Sequence, residues 1–390
     1  MVLDDEHEPI MAWLDNQRPA MEALLERIVN TDSGSFDHAG VNEVGAIIKA
    51  HLEHRGIATK VIERPNAGFC LLAMIDARHD NAGNQPILLM GHRDTVFSKG
   101  EAAKRPFSID GDRAFGPGVA DMKCGLVLNS FVAEAFHRFG GNRYPINVLY
   151  TSDEEIGSPS SRDVIEAEAA NARAVFNSEP GRPSGNIVTG RKGALFMTME
   201  VSGVAAHSGS QHDKGRSAIE TLCRKVQALH ALTDYEEGRT VNIGLIEGGQ
   251  SANTVAPFAK GTIDIRYTSN AQLKDIEACV EEIIGRTEID GTSARITNKT
   301  LFPPLEQTPA NRELFDDYVT AAAELGLTIE GEYSGGAADS GFTSALGVPT
   351  ICAVGPIGEK GHQLDEAAHL ETFVARAKVM AATIIRLGDQ

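Results

Sequence analysis

Basic residues are scarce in this chain: 36 Lys and Arg stand against 54 Asp and Glu, a formal net charge of −18 over 390 residues. That deficit excludes broad positive surfaces for gripping phosphate backbones or anionic lipid, so neither nucleic acid nor membrane is an expected partner. Cysteine is sparse as well. Cys70, Cys124, Cys223, Cys279 and Cys352 stand singly with no CxxC pair, which excludes a disulfide framework and a thiolate zinc site. No apolar run approaches the ~20 residues of a membrane span, and no tract is of low complexity. The opening stretch, MVLDDEHEPIMAWL, is acidic where a secretory leader needs positive charge, so the cytoplasm is the expected compartment. What is present, 42% apolar and 23% charged residues, is the profile of a globular enzyme long enough for two domains.

Hydrophobic periodicity predicts an amphipathic helix over Pro9–Ile28 and a second over Gly40–His54. Short apolar runs at Phe69–Ile75, Ile87–Met90, Ile146–Tyr150 and Ala174–Phe176 read as buried strands, with helices at Lys123–Phe139 and Arg162–Asn171 between them. That alternation implies an α/β layer built on a mostly parallel mixed sheet flanked by helices. From about Gly190 the texture changes. Strands at Leu195–Val201, Thr240–Ile246 and Lys260–Tyr267 and helices at Ser217–Leu232 and Leu273–Ile284 suit an inserted α+β domain with helices on one face. The first texture resumes after Pro303, with helices at Arg312–Leu325 and Glu371–Leu387 and a strand at Thr350–Val354. The expected division is a discontinuous catalytic domain, 1–190 and 302–390, interrupted by a second domain, 191–301.

Chemistry-bearing residues gather at the ends of the predicted strands, where open α/β sheets place their ligand crevices. GHRDT follows the strand ILLM. Residues two apart share a face of an extended segment, so Asp94 can lie behind His92 and set its tautomer. GPGVADMKCG forces a tight loop ahead of a helix and puts Asp121 where that helix begins; a simple N-cap is the competing reading of Asp121. TSDEEIGS closes the strand INVLY with Asp153, Glu154 and Glu155, adjacent carboxylates that repel unless cations or solvent relieve them. Glu179 occupies the same kind of position in VFNSEP. Near the C-terminus GEKGHQLDE places His362 in a glycine-rich loop, with His369 as a competitor beside the last helix. His92, Asp121, Glu155, Glu179 and His362 together offer two imidazoles and three carboxylates, a set suited to two divalent zinc ions with one carboxylate bridging. Glu154, next to Glu155, stands ready to take a proton from water.

These motifs, with VSGVAAHSG added, occur in an order that resembles the zinc-dependent metallopeptidase family, numbered twenty, that contains glutamate carboxypeptidase, aminoacylase, acetylornithine deacetylase and related dipeptidases. The resemblance runs from VNTDSGS to the last helix. It implies that Asp121 bridges two metals, that His92 and Glu179 complete one site, and that Glu155 and His362 complete the other, with zinc as the metal and cobalt or manganese as substitutes. It implies Glu154 as general base, Asp94 as the partner of His92, and a cis peptide bond from Asp121 to Met122. The insert then resembles a lid and dimerisation domain through which a homodimer forms. His207 matches a histidine that reaches the partner's active site and stabilises the oxyanion, Asn253 and Arg266 match positions that bind the substrate's carboxylate, and Gly335 and Gly336 offer backbone donors to the same group.

Among the members, GRKGALFMTMEVSGVAAHSG and EGRTVNIGLIEGGQSANTVAP are nearest to glutamate carboxypeptidases. The implied substrate is an N-acyl amino acid or short peptide with a free carboxylate, a C-terminal glutamate among the candidates. An N-acyl-amino-acid deacylase or a dipeptidase is the rival within the class. Where a basic residue would hold an acidic side chain the chain reads Asn298-Lys299-Thr300, which leaves the accepted amino acid open.

Overall fold

The computed structural model describes residues 7–78 and 85–389, so the acidic opening Met1–Glu6 lies outside the described residues. The chain divides into two compact units. One comprises Met1–Gly190, Gln307–Tyr333 and Ala338–Gln390; the other comprises Arg191–Glu306 together with Ser334–Ala337.

The first unit is organised by a mixed sheet of eight strands among the described residues. In spatial order these are Ala58–Ile62, Cys70–Ile75, Ile146–Thr151, Ile87–His92, Ala174–Asn177, Thr350–Cys352, Ile187–Arg191 and Gly331–Ser334. The four in the middle run parallel, and the Cys70–Ile75 strand joins them antiparallel. Ile87, Leu88, Leu89 and Met90 are buried without alternation, as a strand covered on both faces requires. Helix Cys124–Arg138 is buried from Cys124 to Phe136, and Glu371–Asp389 packs against it and against Pro309–Glu324. Thr308 caps the last of these by accepting from the Asn311 N–H.

The continuous helix expected over Pro9–Ile28 is corrected to two, Glu8–Leu14 and Arg18–Val29. Pro19 lacks an N–H and its ring would clash with the preceding turn, so it begins a helix and does not continue one. A second sheet of short strands, Ser108–Asp110, Arg113–Phe115, Ala367–His369 and Gly358–Glu359, was also not foreseen. Its antiparallel pairs bring the loop 360–366 beside the turn 116–123.

The second unit is a four-stranded antiparallel sheet ordered Thr240–Gly248, Phe258–Tyr267, Gly193–Ser202 and Ser293–Phe302, with helices Ala218–His230 and Asn270–Gly285. Leu195, Met197, Met199 and Val201 alternate with Phe196, Thr198 and Glu200, so one face is buried and the other half-open. Strand Ser293–Phe302 escaped the periodicity reading because most of its residues are exposed or half-exposed. Lys299 lies in it and donates to Glu277. No helix among the described residues is long and apolar enough to cross a membrane.

Candidate metal centre

Parallel strands that run the same way deliver their carboxyl ends to one rim. His92 ends strand Ile87–His92 and pairs with Thr151, and Met90 pairs with Asn177. The segments that leave the two neighbouring strands therefore carry Glu154 and Glu155 on one side of His92 and Glu179 on the other. Asp121 comes from the turn 116–123. That turn needs its glycines: Gly118 has φ of 73°, and a Cβ there would lie 2.4 Å from Thr95 Cγ2. The helix that follows is capped at Lys123, and the Asp121–Met122 peptide bond is cis. Asp121 is thus not a helix cap; its carboxylate turns toward two imidazoles. His362 arrives from loop 360–366 with φ of 67°, in the left-handed region that histidine enters more readily than most side chains.

Asp121 Oδ1 lies 3.1 Å from His92 Nε2, and Asp121 Oδ2 lies 3.3 Å from His362 Nε2. Glu179 Oε1 is 3.7 Å from His92 Nε2, and Glu155 Oε2 is 3.1 Å from His362 Nε2. The donors form two groups, His92–Asp121–Glu179 and Asp121–Glu155–His362, each within 4.8 Å, with Asp121 common to both. His369, the competitor of His362, instead meets Glu359 at 2.6 Å.

Two observations fit this donor set to divalent cations. His92 Nδ1 lies 3.0 Å from the main-chain oxygen of Asp94, which makes Nδ1 the protonated nitrogen and turns the Nε2 lone pair onto carboxylate oxygens. Glu155 Oε1 is buried with no hydrogen-bond partner among the described residues. Lone pairs facing lone pairs in a buried site are unfavourable until a cation stands between them.

The electrostatics follow from this crowding. Burial would raise the Asp121 carboxyl, but where no cation stands between them the His362 and His92 rings, when they carry a proton on Nε2, bond to it, outweigh burial and hold it below the usual range. The His362 imidazole, bonded to Asp121 and Glu155, is raised to about 10. Burial pushes Glu154 well above the usual carboxylate range; His92 opposes this, and Glu179, Asp339 and Glu155 add to it. Glu154 Oε2 stands 4.0 Å from His92 Nε2, beside the two groups and outside both.

Asp94 supports more than a histidine ring. Its fully buried carboxylate accepts the Glu154 N–H at 3.0 Å, the Glu155 N–H at 3.1 Å and the Ser35 hydroxyl at 2.7 Å. One side chain so fixes the backbone of Glu154 and Glu155.

Glu366 does the same for another segment and was missed in the sequence. Buried completely, it accepts the N–H of Ala120 and of Asp121 at 2.8 Å and that of Gly118 at 3.2 Å, tying the turn of Asp121 to the loop of His362. Arg93 was missed too. It is fully buried, stacks on Phe69 at 4.6 Å and donates to the carbonyls of Thr151, Val41 and Phe69, holding the segments behind the rim together. Neither residue had a local signal; each is one more charge in a loop until the fold supplies its partners.

The remaining candidates lie in the second unit. His207 is exposed, and its Nδ1 accepts the N–H of Gly209 at 3.1 Å and of Ser210 at 3.2 Å, so the proton of the neutral ring sits on Nε2. Asn253 is exposed close by; its carbonyl accepts the Ser208 N–H and its side-chain oxygen accepts the Ser251 hydroxyl. Arg266 already forks onto Asp264 at 2.7 and 3.1 Å and lies over Phe196. The Gly336 N–H is taken by the Ser334 hydroxyl, and its carbonyl by Arg191.

The comparison with known proteins resolves what such a rim belongs to. The model of peptidase family M20/M25/M40 matches residues 88–386, most of the chain. The protein is a member of this family. It is 28% identical to carboxypeptidase G2 of Pseudomonas sp. (strain RS-16) over 374 residues, 95% of this chain and 89% of that one. It is 26% identical to acetylornithine deacetylase of Proteus mirabilis over 370 residues, 89% and 92% of the two chains. Among solved structures, the M20 family metallo-carboxypeptidase Sso-CP2 from Sulfolobus solfataricus matches with a TM-score of 0.74 at 18% identity, covering 95% of this chain and 99% of that one. Membership makes the M20 protein a metal-dependent hydrolase of amide or peptide bonds, with the fold its sequence led one to expect.

Proposed function

We propose that this M20 protein hydrolyses the amide bond of an N-acyl or N-peptidyl amino acid whose carboxylate is free, using two zinc ions, for which cobalt or manganese can substitute. The observation that carries the reading is Asp121 set between His92 and His362, with a further carboxylate on each side. His92, Asp121 and Glu179 would hold one ion, and Asp121, Glu155 and His362 the other. Bound there, the ions supply Lewis acidity that acidifies water and polarises the carbonyl. Glu154 takes the proton of the attacking water on its carboxylate and passes it to the departing amine, so that water and amide become acid and amine. Asp94 keeps Glu154 in place through its backbone. The likeness to carboxypeptidase G2 over 95% of the chain supports a carboxypeptidase-type substrate ahead of a deacylase or dipeptidase one.

His207, with its proton on Nε2, is a donor suited to the oxyanion, and Asn253 and Arg266, with the backbone donor of Gly335 and that of Gly336 once it leaves the Ser334 hydroxyl, are assigned to the substrate carboxylate. A homodimer formed through the second unit is part of the reading. Its support is the edge strand Thr240–Gly248, on which Leu245 is 65% and Ile246 53% exposed, an apolar edge that calls for cover. The cytoplasm is the proposed compartment.

Glu154→Gln tests the chemistry. The variant is expected to bind metal like the wild type and to lose roughly 10²- to 10⁴-fold in kcat on N-acyl amino acids, the usual range for a missing general base. Full hydrolysis with metal still bound would sink the assignment of Glu154. Chelation of the wild type is expected to abolish turnover, and re-addition of zinc to restore it.

A further inference from the structure

Of the five donors, His362 is the one that packing holds least. Its side chain is 53% exposed, whereas none of the other four exceeds 19%. The ring is carried to Asp121 and Glu155 by the main chain of loop 360–366, in which Lys360 and His362 both have positive φ, 56° and 67°. The loop is shaped from within: the Gln363 N–H donates to the Lys360 carbonyl at 3.0 Å, the Glu366 N–H donates to the Gln363 carbonyl at 3.2 Å, and Lys360 pairs with Asp365. Such bonds fix a shape but not a place, because a loop closed on itself still pivots about its ends. Glu366 anchors the inner end to the turn of Asp121.

On the outer side the anchor is Arg105. Its Nη1 donates to the Leu364 carbonyl at 2.7 Å, two residues beyond His362. The guanidinium is itself fixed: its Nε donates to Glu101 at 2.7 Å, and its central carbon lies 4.7 Å from the centre of the Phe97 ring. Glu101 opens the helix Glu101–Lys104, which Asp32 ties down by accepting the N–H of Gly100 at 2.6 Å and that of Ala102 at 2.8 Å. A planar fork can meet a carboxylate, an aromatic face and a carbonyl at once, which a compact ammonium cannot. We infer that Arg105 is a positioning residue of the metal centre, a strap that sets the reach of His362 toward Asp121 and Glu155. This role rests on the two-ion reading above and adds to it a residue on which one of the two ions depends. The sign of the charge separates it from simple electrostatics. A positive group repels a cation bound nearby, so deleting the Arg105 charge alone would tighten zinc, and loosening on deletion reports position.

Zinc binding by the full chain is titrated against a chelator for the wild type, Arg105→Met, Arg105→Lys and Lys104→Met, with His362→Ala marking which equivalent belongs to the His362 group. Arg105→Met is expected to weaken that equivalent about 10-fold and to leave the other within about twofold of wild type. The loss sits at the low end of what supporting groups govern because the bond to Leu364 is solvent-exposed. Arg105→Lys should recover part of it. Lys104→Met, which removes the same charge from a side chain 72% exposed on the same helix, should weaken neither equivalent. No selective weakening in Arg105→Met, equal weakening of both equivalents, or the same loss in Lys104→Met overturns the assignment. If the wild type binds fewer than two equivalents, the two-ion reading fails, and the strap is judged on the metal-free protein by amide hydrogen exchange. Exchange over 361–365 about 10-fold faster in Arg105→Met than in the wild type upholds the strap, and equal rates overturn it.

Discussion

The donors of the first unit and the substrate-side candidates of the second are prepared in opposite ways. His92, Glu154 and Glu179 are buried, and the cluster crowds lone pairs and like charges that the protein alone leaves unresolved, as the orphaned Glu155 Oε1 shows. His207 and Asn253 are exposed, and Arg266 is satisfied by Asp264 in its own strand. A site that is electrostatically incomplete declares its ligand, whereas side chains with local partners have uses besides substrate binding. The candidate metal site thus lies in the first region, and recognition of the substrate is left to be tested in the second.

The sharpest way to break the contrast is His207→Ala. If an exposed histidine donates to the developing oxyanion, its loss is expected to lower kcat by roughly 10²- to 10³-fold with metal content unchanged. Mixing His207→Ala with Glu154→Gln subunits then tells how it is supplied. In a homodimer whose histidine serves the partner, a mixed dimer contains one site with both groups intact, and activity should return on mixing two nearly inactive proteins. No recovery, with dimers shown by sedimentation, would confine His207 to its own chain or remove it from the reaction.

Within the first region, Glu366 is expected to matter almost as a ligand does. Supporting groups around a metal site typically govern 10- to 100-fold in affinity or activity. Glu366→Ala leaves the N–H groups of Gly118, Ala120 and Asp121 without their acceptor, each at a cost of about 1–3 kcal/mol if no water replaces it. Zinc affinity from chelator competition should fall within that 10- to 100-fold range, and Glu366→Gln, which keeps one acceptor oxygen, should fall less. Affinity within about twofold of wild type in both variants would show that the turn holds its shape alone.

Glu366 also marks the limit of what could be read beforehand. Donors at strand ends were legible because the physics is local: apolar runs stop, glycine and proline force turns, and a carboxylate or imidazole is left at the edge. Asp121 is the partial case, since its turn was visible but the choice between helix cap and turned carboxylate waited for its backbone angles. Glu366 and Arg93 were invisible because a buried charge is identified by its acceptors and donors, and those come from far along the chain. The strand Ser293–Phe302 and the break between Glu8–Leu14 and Arg18–Val29 were missed for a related reason. An open sheet face weakens alternation, and a helical period carries straight through a proline that the backbone does not.

The smallest expected effect concerns Arg266, where the contrast between the regions is finest. Its guanidinium is held flat by Asp264 and by the Phe196 ring, an arrangement that orients a fork while using some of its donors. If the fork serves the substrate carboxylate, Arg266→Lys keeps the charge, loses the planar geometry and should raise KM about 10-fold, with kcat and metal content close to wild type. Asp264→Asn should act in the same direction but more weakly, because it loosens the arginine without removing it. A substrate amide in place of the free carboxylate should erase the difference between wild type and Arg266→Lys. If the two enzymes still differ on the amide, the arginine braces its sheet and does not bind the substrate, and recognition of the carboxylate falls to Asn253 and the backbone at Gly335 and Gly336.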